Sequence, residues 1–172
     1  IRLFAEPLTT AVVMTDIDLE RPGPTILYAN PAFADMSGYT ASEVLGASPR
    51  LLQGPETKMQ QTRLVARKLR AEGRFHGVLQ NYRKSGEPYW IAVEVQPVRN
   101  ENNDIINFLA IESDITTRKL EEARNRLAYS VTTVLAESTD ADGAMRRLLE
   151  LIGNAGGCTA GIWWMPTSDS TY

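Results

Sequence analysis

Residues 74–115, RFHGVLQNYRKSGEPYWIAVEVQPVRNENNDIINFLAIESDI, decide the fold of this 172-residue chain. They contain three runs rich in aromatic and β-branched residues, and turn signals at 84–86 and 100–104 separate these runs. Three strands joined by two tight turns predict an antiparallel meander. A period of two predicts that the following residues share one face in their own strand: Phe75, Gly77, Leu79 and Asn81, then Tyr89, Ile91, Val93 and Val95, and last Ile106, Phe108, Ala110 and Glu112.

The residues before the meander supply two more strands and three helical pieces. The β-branched runs 9–17 and 25–30 predict strands. Asn30 before Pro31 is typical of a helix start, and Thr40 with Glu43 has the spacing of a capping box. A longer helix is predicted over 60–73, with Gly73 as its end. This order predicts an α+β fold, a five-stranded antiparallel sheet with short helices on one side.

The periodicity changes from two to helical at Thr116. Leu120, Leu127 and Val134 are spaced by seven, which is typical of a coiled-coil seam, although the seam covers fewer than three heptads. An amphipathic helix that folds back on its own domain is the alternative. A second helix is predicted over 138–157, followed by a strand over 158–165.

The composition sets the class of protein. A hydrophobic content of 43% is typical of a soluble globular chain, and a net charge of -3 gives no electrostatic reason to expect nucleic acid. No apolar run approaches the ~20 residues of a membrane helix. Cys158 is the only cysteine and His76 the only histidine, so we expect no disulfide within the chain, no metal site and a cytoplasmic protein. Since the chain begins at Ile1 without a methionine, we expect a segment of something longer.

Four segments carry a family resemblance. ILYANPAFADMSGYTASEVLG (26–46), PRLLQGPET (49–57), NYRKSGEPYW (81–90) and IESDITTRK (111–119) resemble a PAS domain of the flavin-binding light-oxygen-voltage (LOV) branch. The resemblance implies the PAS fold with a ligand cavity between sheet and helices. It divides the chain into an N-terminal extension (1–7), a sensor domain (8–116) and a signalling linker helix (117–138). Residues 139–172 resemble the truncated start of a GAF domain.

The resemblance fails at the residue that performs LOV photochemistry. The family's loop is usually Asn-Cys-Arg-Phe-Leu-Gln, and its cysteine thiol attacks the flavin ring on illumination. Here the loop is Ser48, Pro49, Arg50, Leu51, Leu52 and Gln53. Proline has no nucleophile, so we expect no covalent flavin adduct.

The resemblance implies a set of residues for non-covalent flavin binding. Arg50 and either Arg67 or Arg70 match arginines that hold the phosphate, and Gln53 and Asn81 match amides that meet the ring system. An apparent insert beside these arginines occurs in family members that accommodate FAD instead of FMN. Two ring-contacting positions differ, because an asparagine is replaced by Ile91 and a glutamine by Glu112. FMN, FAD and no ligand therefore all remain open.

Glu112 is the most informative of these changes. An ionised carboxylate only accepts hydrogen bonds, whereas a protonated one also donates. On an inward face the pKa of Glu112 should rise, so it would favour an oxidised ring when protonated and a reduced ring carrying an N–H when ionised. The alternative is an ion pair with Arg83 or Arg99 and no ligand.

These observations predict the sensory input module of a multidomain bacterial signalling protein, with no enzyme activity of its own. A ligand, redox or packing change would pass through the C-terminal helix to an output such as a histidine kinase or a cyclic-dinucleotide enzyme. We expect a homodimer through the sheet face and linker helix. The alternatives are a flavin-binding redox sensor and a ligand-free dimerisation module.

Overall fold

The computed structural model describes residues 10–20, 22–138 and 140–156, which divide into two compact units with the boundary between Thr117 and Arg118. The strands are β1 (Ala11–Thr15), β2 (Ile26–Ala29), β3 (Phe75–Tyr82), β4 (Pro88–Arg99) and β5 (Ile105–Asp114). The helices are α1 (Pro31–Ser37), α2 (Ala41–Val44), α3 (Met59–Glu72), α4 (Thr116–Glu137) and α5 (Ala141–Gly156), with a 3₁₀ turn at Pro49–Leu52.

The first unit is the predicted α+β fold. Its five strands form one sheet in the order β2-β1-β5-β4-β3, and every neighbouring pair is antiparallel. Helices α1, α2 and α3 contact β1, β2 and β3 respectively. The core lies between these helices and the inner sheet face, and its most deeply buried side chains include Phe33, Ile26, Val44, Tyr89 and Ile91. The predicted PAS fold is confirmed.

Local side-chain hydrogen bonds explain why α1 begins where it does. Asn30 precedes the helix, and its side-chain oxygen accepts hydrogen bonds from the N–H of Phe33 at 3.0 Å and of Val12 at 2.9 Å. Its amide nitrogen donates to the Thr10 carbonyl at 3.0 Å. One buried side chain therefore caps α1 and fixes this helix to β1.

One expected core residue lies on the other face. Ile106 was expected to share a face with Phe108, but it is 45% exposed, and Ile105 packs against the core instead. The cause is a register shift, because Val98 pairs with Asn107 while Arg99 pairs with Ile105. The extra residue interrupts the period of two at the start of β5.

The second unit is described up to Gly156 by α4 and α5. In α4, Leu120 is 65% exposed, and no described residue of this helix is buried. The predicted extension 1–7 and the strand predicted over 158–165 lie outside the described residues. Within the described part of the chain, no helix is long and apolar enough to cross a membrane.

Candidate functional site

A cavity of about 190 Å³ lies in the first unit between the inner sheet face and the helices. A single buried water needs only about 10–15 Å³, so this space has room for a small organic molecule. Strand residues such as Val13, Val93 and Phe108 form one wall, and Val65 of α3 lies on another. Most of the wall surface is apolar, and several polar side chains lie among the apolar ones, which is typical of ligand sites.

The 3₁₀ turn brings the loop that lacks cysteine to this cavity. Pro49 is its first residue and lines the cavity, and the Ser48 hydroxyl accepts a hydrogen bond from the Arg50 N–H at 3.4 Å. Leu52 is buried and anchors the turn in the core. Sequence periodicity did not predict this turn, because four residues are too few for a periodic signal.

Arg50 lines the cavity at a position that is open to solvent. Its side chain lies against Gly23, where an added Cβ atom would be 2.9 Å from both Arg50 Nε and Ser48 Oγ. Gly23 also has a φ of +109°, which disfavours any other residue. The glycine therefore leaves room for a guanidinium group at the cavity mouth.

The structure brings together four of the six side chains predicted for flavin. Arg50, Gln53, Asn81 and Glu112 all line the same cavity. Arg67 and Arg70 do not belong to its lining, since α3 faces the cavity with Gln61, Thr62, Val65, Ala66 and Leu69. Arg67 is exposed. Arg70 donates hydrogen bonds to the Leu19 carbonyl at 3.2 Å and to Glu20 at 2.8 Å.

Glu112 is the unusual group of this cavity. Its residue is only 8% exposed, and its Oε2 atom is buried without a hydrogen-bond partner among the described residues. Burial raises its pKa to about 7, because the apolar surroundings disfavour the charged form. The predicted alternative, an ion pair with Arg83 or Arg99, is wrong. Arg83 pairs with Asp114 at 2.7 Å, and Arg99 donates to the Asn103 carbonyl at 2.7 Å.

Tyr89 is a second buried polar group near the site. Its hydroxyl also has no hydrogen-bond partner within the described structure, and the Arg83 guanidinium lies 4.5 Å from the centre of its ring. Burial raises the pKa of Tyr89, and the negative charge of Glu112 raises it further. The period of two predicts that Tyr89 faces inward, and the sequence assigns it no functional role, because an inward aromatic residue is usually part of the core.

Several polar lining residues were missed altogether. Gln61 and Thr62 on α3, Thr57 before this helix and Gln80 on β3 line the cavity. Gln61 and Thr62 lie one helical turn before Val65, which lines the cavity as well, so all three are on the same side of α3. In the described parts of the chain, no cluster of three or more histidine, cysteine or acidic side chains offers a metal site.

Comparison with known proteins agrees with this architecture. The family model of the PAS domain matches residues 9–117. A blue-light-activated histidine kinase of Brucella anthropi is 34% identical over 134 residues, which cover 72% of this chain and 27% of the kinase. The chain therefore corresponds to about a quarter of that relative's length.

Two solved structures are similar in fold as well as in sequence. The LOV domain of an Erythrobacter litoralis blue-light-activated histidine kinase is 28% identical, with a TM-score of 0.57 over 63% of this chain and 98% of that one. The PAS domain of the fruit-fly ELK potassium channel is 25% identical, with a TM-score of 0.58 over 64% of this chain and 90% of that one.

Proposed function

This chain belongs to the PAS domain family, and we propose that its first unit is the sensory input module of a multidomain signalling protein, responding to a ligand bound without a covalent bond. The observation that carries this proposal is the cavity. It holds Arg50, Gln53, Asn81 and Glu112 together and has Pro49 in its wall. A ligand can act as a signal when it binds two conformational states of the protein with different affinity, and an internal cavity provides its binding site.

Pro49 determines the kind of ligand chemistry that we propose. The closed pyrrolidine ring of proline offers no thiol, so no side chain at this position can add to a bound chromophore. Cys158, the single cysteine of the sequence, lies outside the predicted sensor domain (8–116). Reversible association, proton transfer or electron transfer must then replace adduct formation as the event that is sensed.

We propose that the signal leaves the first unit through β5. Glu112 lies on this strand four positions before Thr116, where α4 begins. A change in charge or hydrogen bonding at the cavity wall is thus close along the chain to the first residue of the linker helix. Residues 117–138 would carry the change to an output domain, such as a histidine kinase or a cyclic-dinucleotide enzyme, in a cytoplasmic homodimer that pairs through the sheet face and linker helix.

A flavin-binding redox sensor is the second candidate, and the unpartnered Oε2 atom of Glu112 favours it. The residues present fit this cofactor in part: Gln53 and Asn81 would contact the ring, and Arg50 would pair with a phosphate at the cavity mouth. A bound flavin would supply redox chemistry and visible absorption. Ile91 weakens the fit, because it offers neither a donor nor an acceptor.

The test is reconstitution of the full chain with FMN and, separately, with FAD, followed by absorption spectroscopy before and after blue light. We expect either a bound, yellow chromophore that forms no thioether on illumination or a colourless protein. The second outcome would leave the non-covalent sensor with another ligand and end the flavin candidate. Reversible bleaching with a thioether seen by mass spectrometry would overturn the proposal.

The matched variant is Pro49→Cys, which returns a thiol to the cavity wall. If wild type binds flavin and only Pro49→Cys forms the adduct, the position of the missing nucleophile is established. Light scattering on the same samples addresses the third alternative, a ligand-free dimerisation module. That function predicts a stable dimer whose association constant does not change with either flavin.

A further inference from the structure

We propose that the cavity selects ligands that present a hydrogen-bond donor, such as an N–H group, to the Glu112 carboxylate, and that it discriminates against ligands of the same shape without this donor. This inference rests on the proposed ligand-binding function and names the class of ligand. Three observations carry it: the apolar neighbours of Glu112, the missing hydrogen-bond partner of its Oε2 atom, and the cavity that this residue lines.

The neighbouring strands offer Glu112 no donor. Its cross-strand partners are Ala11 on β1 and Val93 on β4, and both are apolar and buried. The carboxylate is itself more than nine-tenths buried and lines the cavity. An acidic side chain in such a position is normally paired, because burying an unsatisfied charged or polar group is costly.

The cavity supplies no compensating cation at this depth. Arg50 is the only basic residue among the lining residues, and it lies on the 3₁₀ turn, where its side chain is exposed to solvent. A ligand that fills the apolar space and brings an N–H group to Oε2 would satisfy the orphaned acceptor. A ligand with only an acceptor at that position would leave two acceptors facing each other while Glu112 is ionised.

The protonation state of Glu112 should then control the preference. Among the titratable groups of the surrounding elements, Tyr89 of β4 interacts electrostatically with Glu112, and Arg50 of the 3₁₀ turn lines the same cavity; the lining residues of β1, β3 and α3 carry no ionisable group. Burial alone raises the pKa of Glu112 to about 7. Donor ligands should therefore bind more tightly above pH 7, where the carboxylate is ionised, and lose this advantage as the pH falls below that value.

The test uses two small probes of the same shape, indole and benzofuran, which differ in that only indole carries an N–H donor. Amide and methyl chemical shifts of the full chain are followed as each probe is added at pH 8.5 and at pH 5.5. At pH 8.5 we expect wild type to prefer indole by roughly tenfold or more, the selectivity that a hydrogen bond to a charged group provides. At pH 5.5 we expect this ratio to shrink.

Two variants separate the carboxylate from the cavity. Glu112→Gln keeps the shape and an acceptor oxygen but does not titrate, so its indole preference should be small and independent of pH. Glu112→Leu should bind both probes with equal affinity. An equal affinity of wild type for both probes at pH 8.5, or the same ratio in wild type and Glu112→Leu, would overturn the inference while leaving a non-covalent sensor intact. Failure of both probes to bind any variant would also overturn it, whereas the flavin spectra report on the proposed function independently.

Discussion

Arg83 and Asp114 form an ion pair with a distance of 2.7 Å between Nη2 and Oδ2, and this pair joins the turn after β3 to the end of β5. Asp114 also accepts a hydrogen bond from the Thr116 N–H at 2.8 Å, so the same carboxylate caps the start of α4. Arg83 additionally donates to the Met36 carbonyl at the end of α1. Three elements that are distant in sequence are thus fixed at one guanidinium group.

Replacement of this guanidinium should loosen the junction before α4. We expect Arg83→Ala to lower the free energy of unfolding by about 1–2 kcal/mol, because several charge-assisted bonds at a half-buried site are lost together. Urea denaturation measures this loss. Hydrogen exchange should show faster exchange of the amides around Thr116, because Asp114, which accepts a hydrogen bond from the Thr116 N–H, loses its ion pair with Arg83.

Arg118→Ala is the matched control for this prediction. Arg118 pairs with Glu122 at 3.7 Å on the exposed surface of α4, where an ion pair contributes little. Its loss should cost less than about 0.5 kcal/mol. Equal effects of the two substitutions would contradict a special role for Arg83.

The contribution of the Arg83–Asp114 ion pair to the free energy of unfolding should also depend on pH, and it should decrease in acid. Burial alone would raise the pKa of Asp114, but hydrogen bonds from Thr116 and Arg83 outweigh burial and lower it below its ordinary value of 3.8. The stabilisation is therefore complete above this value and is lost as the pH falls through the lowered pKa. The difference in stability between wild type and Arg83→Ala should shrink in acid, which unfolding curves at pH 6 and pH 3 would detect.

Titration of Glu112 should change the stability of the chain with pH in the opposite direction, because its pKa is raised in the folded state. Between its ordinary value of 4.5 and about 7, the folded chain binds more protons than the unfolded chain, so wild type loses stability as the pH rises. The total loss is on the order of 3 kcal/mol. Glu112→Gln removes this titration and should gain stability relative to wild type by this amount between pH 4.5 and pH 8.

Urea denaturation at several pH values checks the prediction. Glu94→Gln is the matched control, since Glu94 is an exposed glutamate on β4 of the same sheet. Comparison of the two variants separates the effect of the buried position from the effect of replacing a glutamate on this sheet. A flat difference for Glu112→Gln would mean that the buried carboxyl titrates normally.

The fold was largely predictable because its signals are local. Turn residues at 84–86 and 100–104 separate runs with a period of two, and Asn30 with Pro31 marks a helix start within two positions. Such signals need no knowledge of distant residues. The register shift at Val98 and Arg99 has no comparable local signal, so the exposure of Ile106 could not be predicted.

The candidate site was predictable only in part. The family resemblance, and not spacing, pointed to Arg50, Gln53, Asn81 and Glu112 as one group, and the structure brings them to one cavity. Which side of α3 faces inward was beyond the sequence, because Leu64, Val65 and Leu69 form only a narrow apolar stripe on this helix. The pairing of Arg83 with Asp114 joins residues 31 positions apart, and only the folded sheet determines that contact.

Gly54 provides a test of how the loop after the 3₁₀ turn is packed. A Cβ atom at this position would clash with Cδ2 of the Tyr82 ring, and the Tyr82 hydroxyl accepts a hydrogen bond from the Glu56 N–H at 3.1 Å. Gly54→Ala should therefore displace the ring and cost about 1–3 kcal/mol of stability. The cost should nearly vanish in a Tyr82→Ala background. A double-mutant cycle measures the coupling between positions 54 and 82. Additive losses would show that the Tyr82 ring does not limit the space at position 54.

Ile105 and Ile106 provide a matched pair that tests the register at the start of β5. Ile105 packs against the core, and its Cδ1 atom would lie 2.9 Å from a Cβ atom at Gly73, whereas Ile106 is 45% exposed. Ile105→Ala should cost about 2 kcal/mol because it opens space beside a buried cluster, and Ile106→Ala should cost less than about 1 kcal/mol. Unbroken alternation back from Phe108 would reverse the order of these two losses, since Ile106 would then face inward. Urea denaturation of the two variants therefore decides between the shifted and the continuous register.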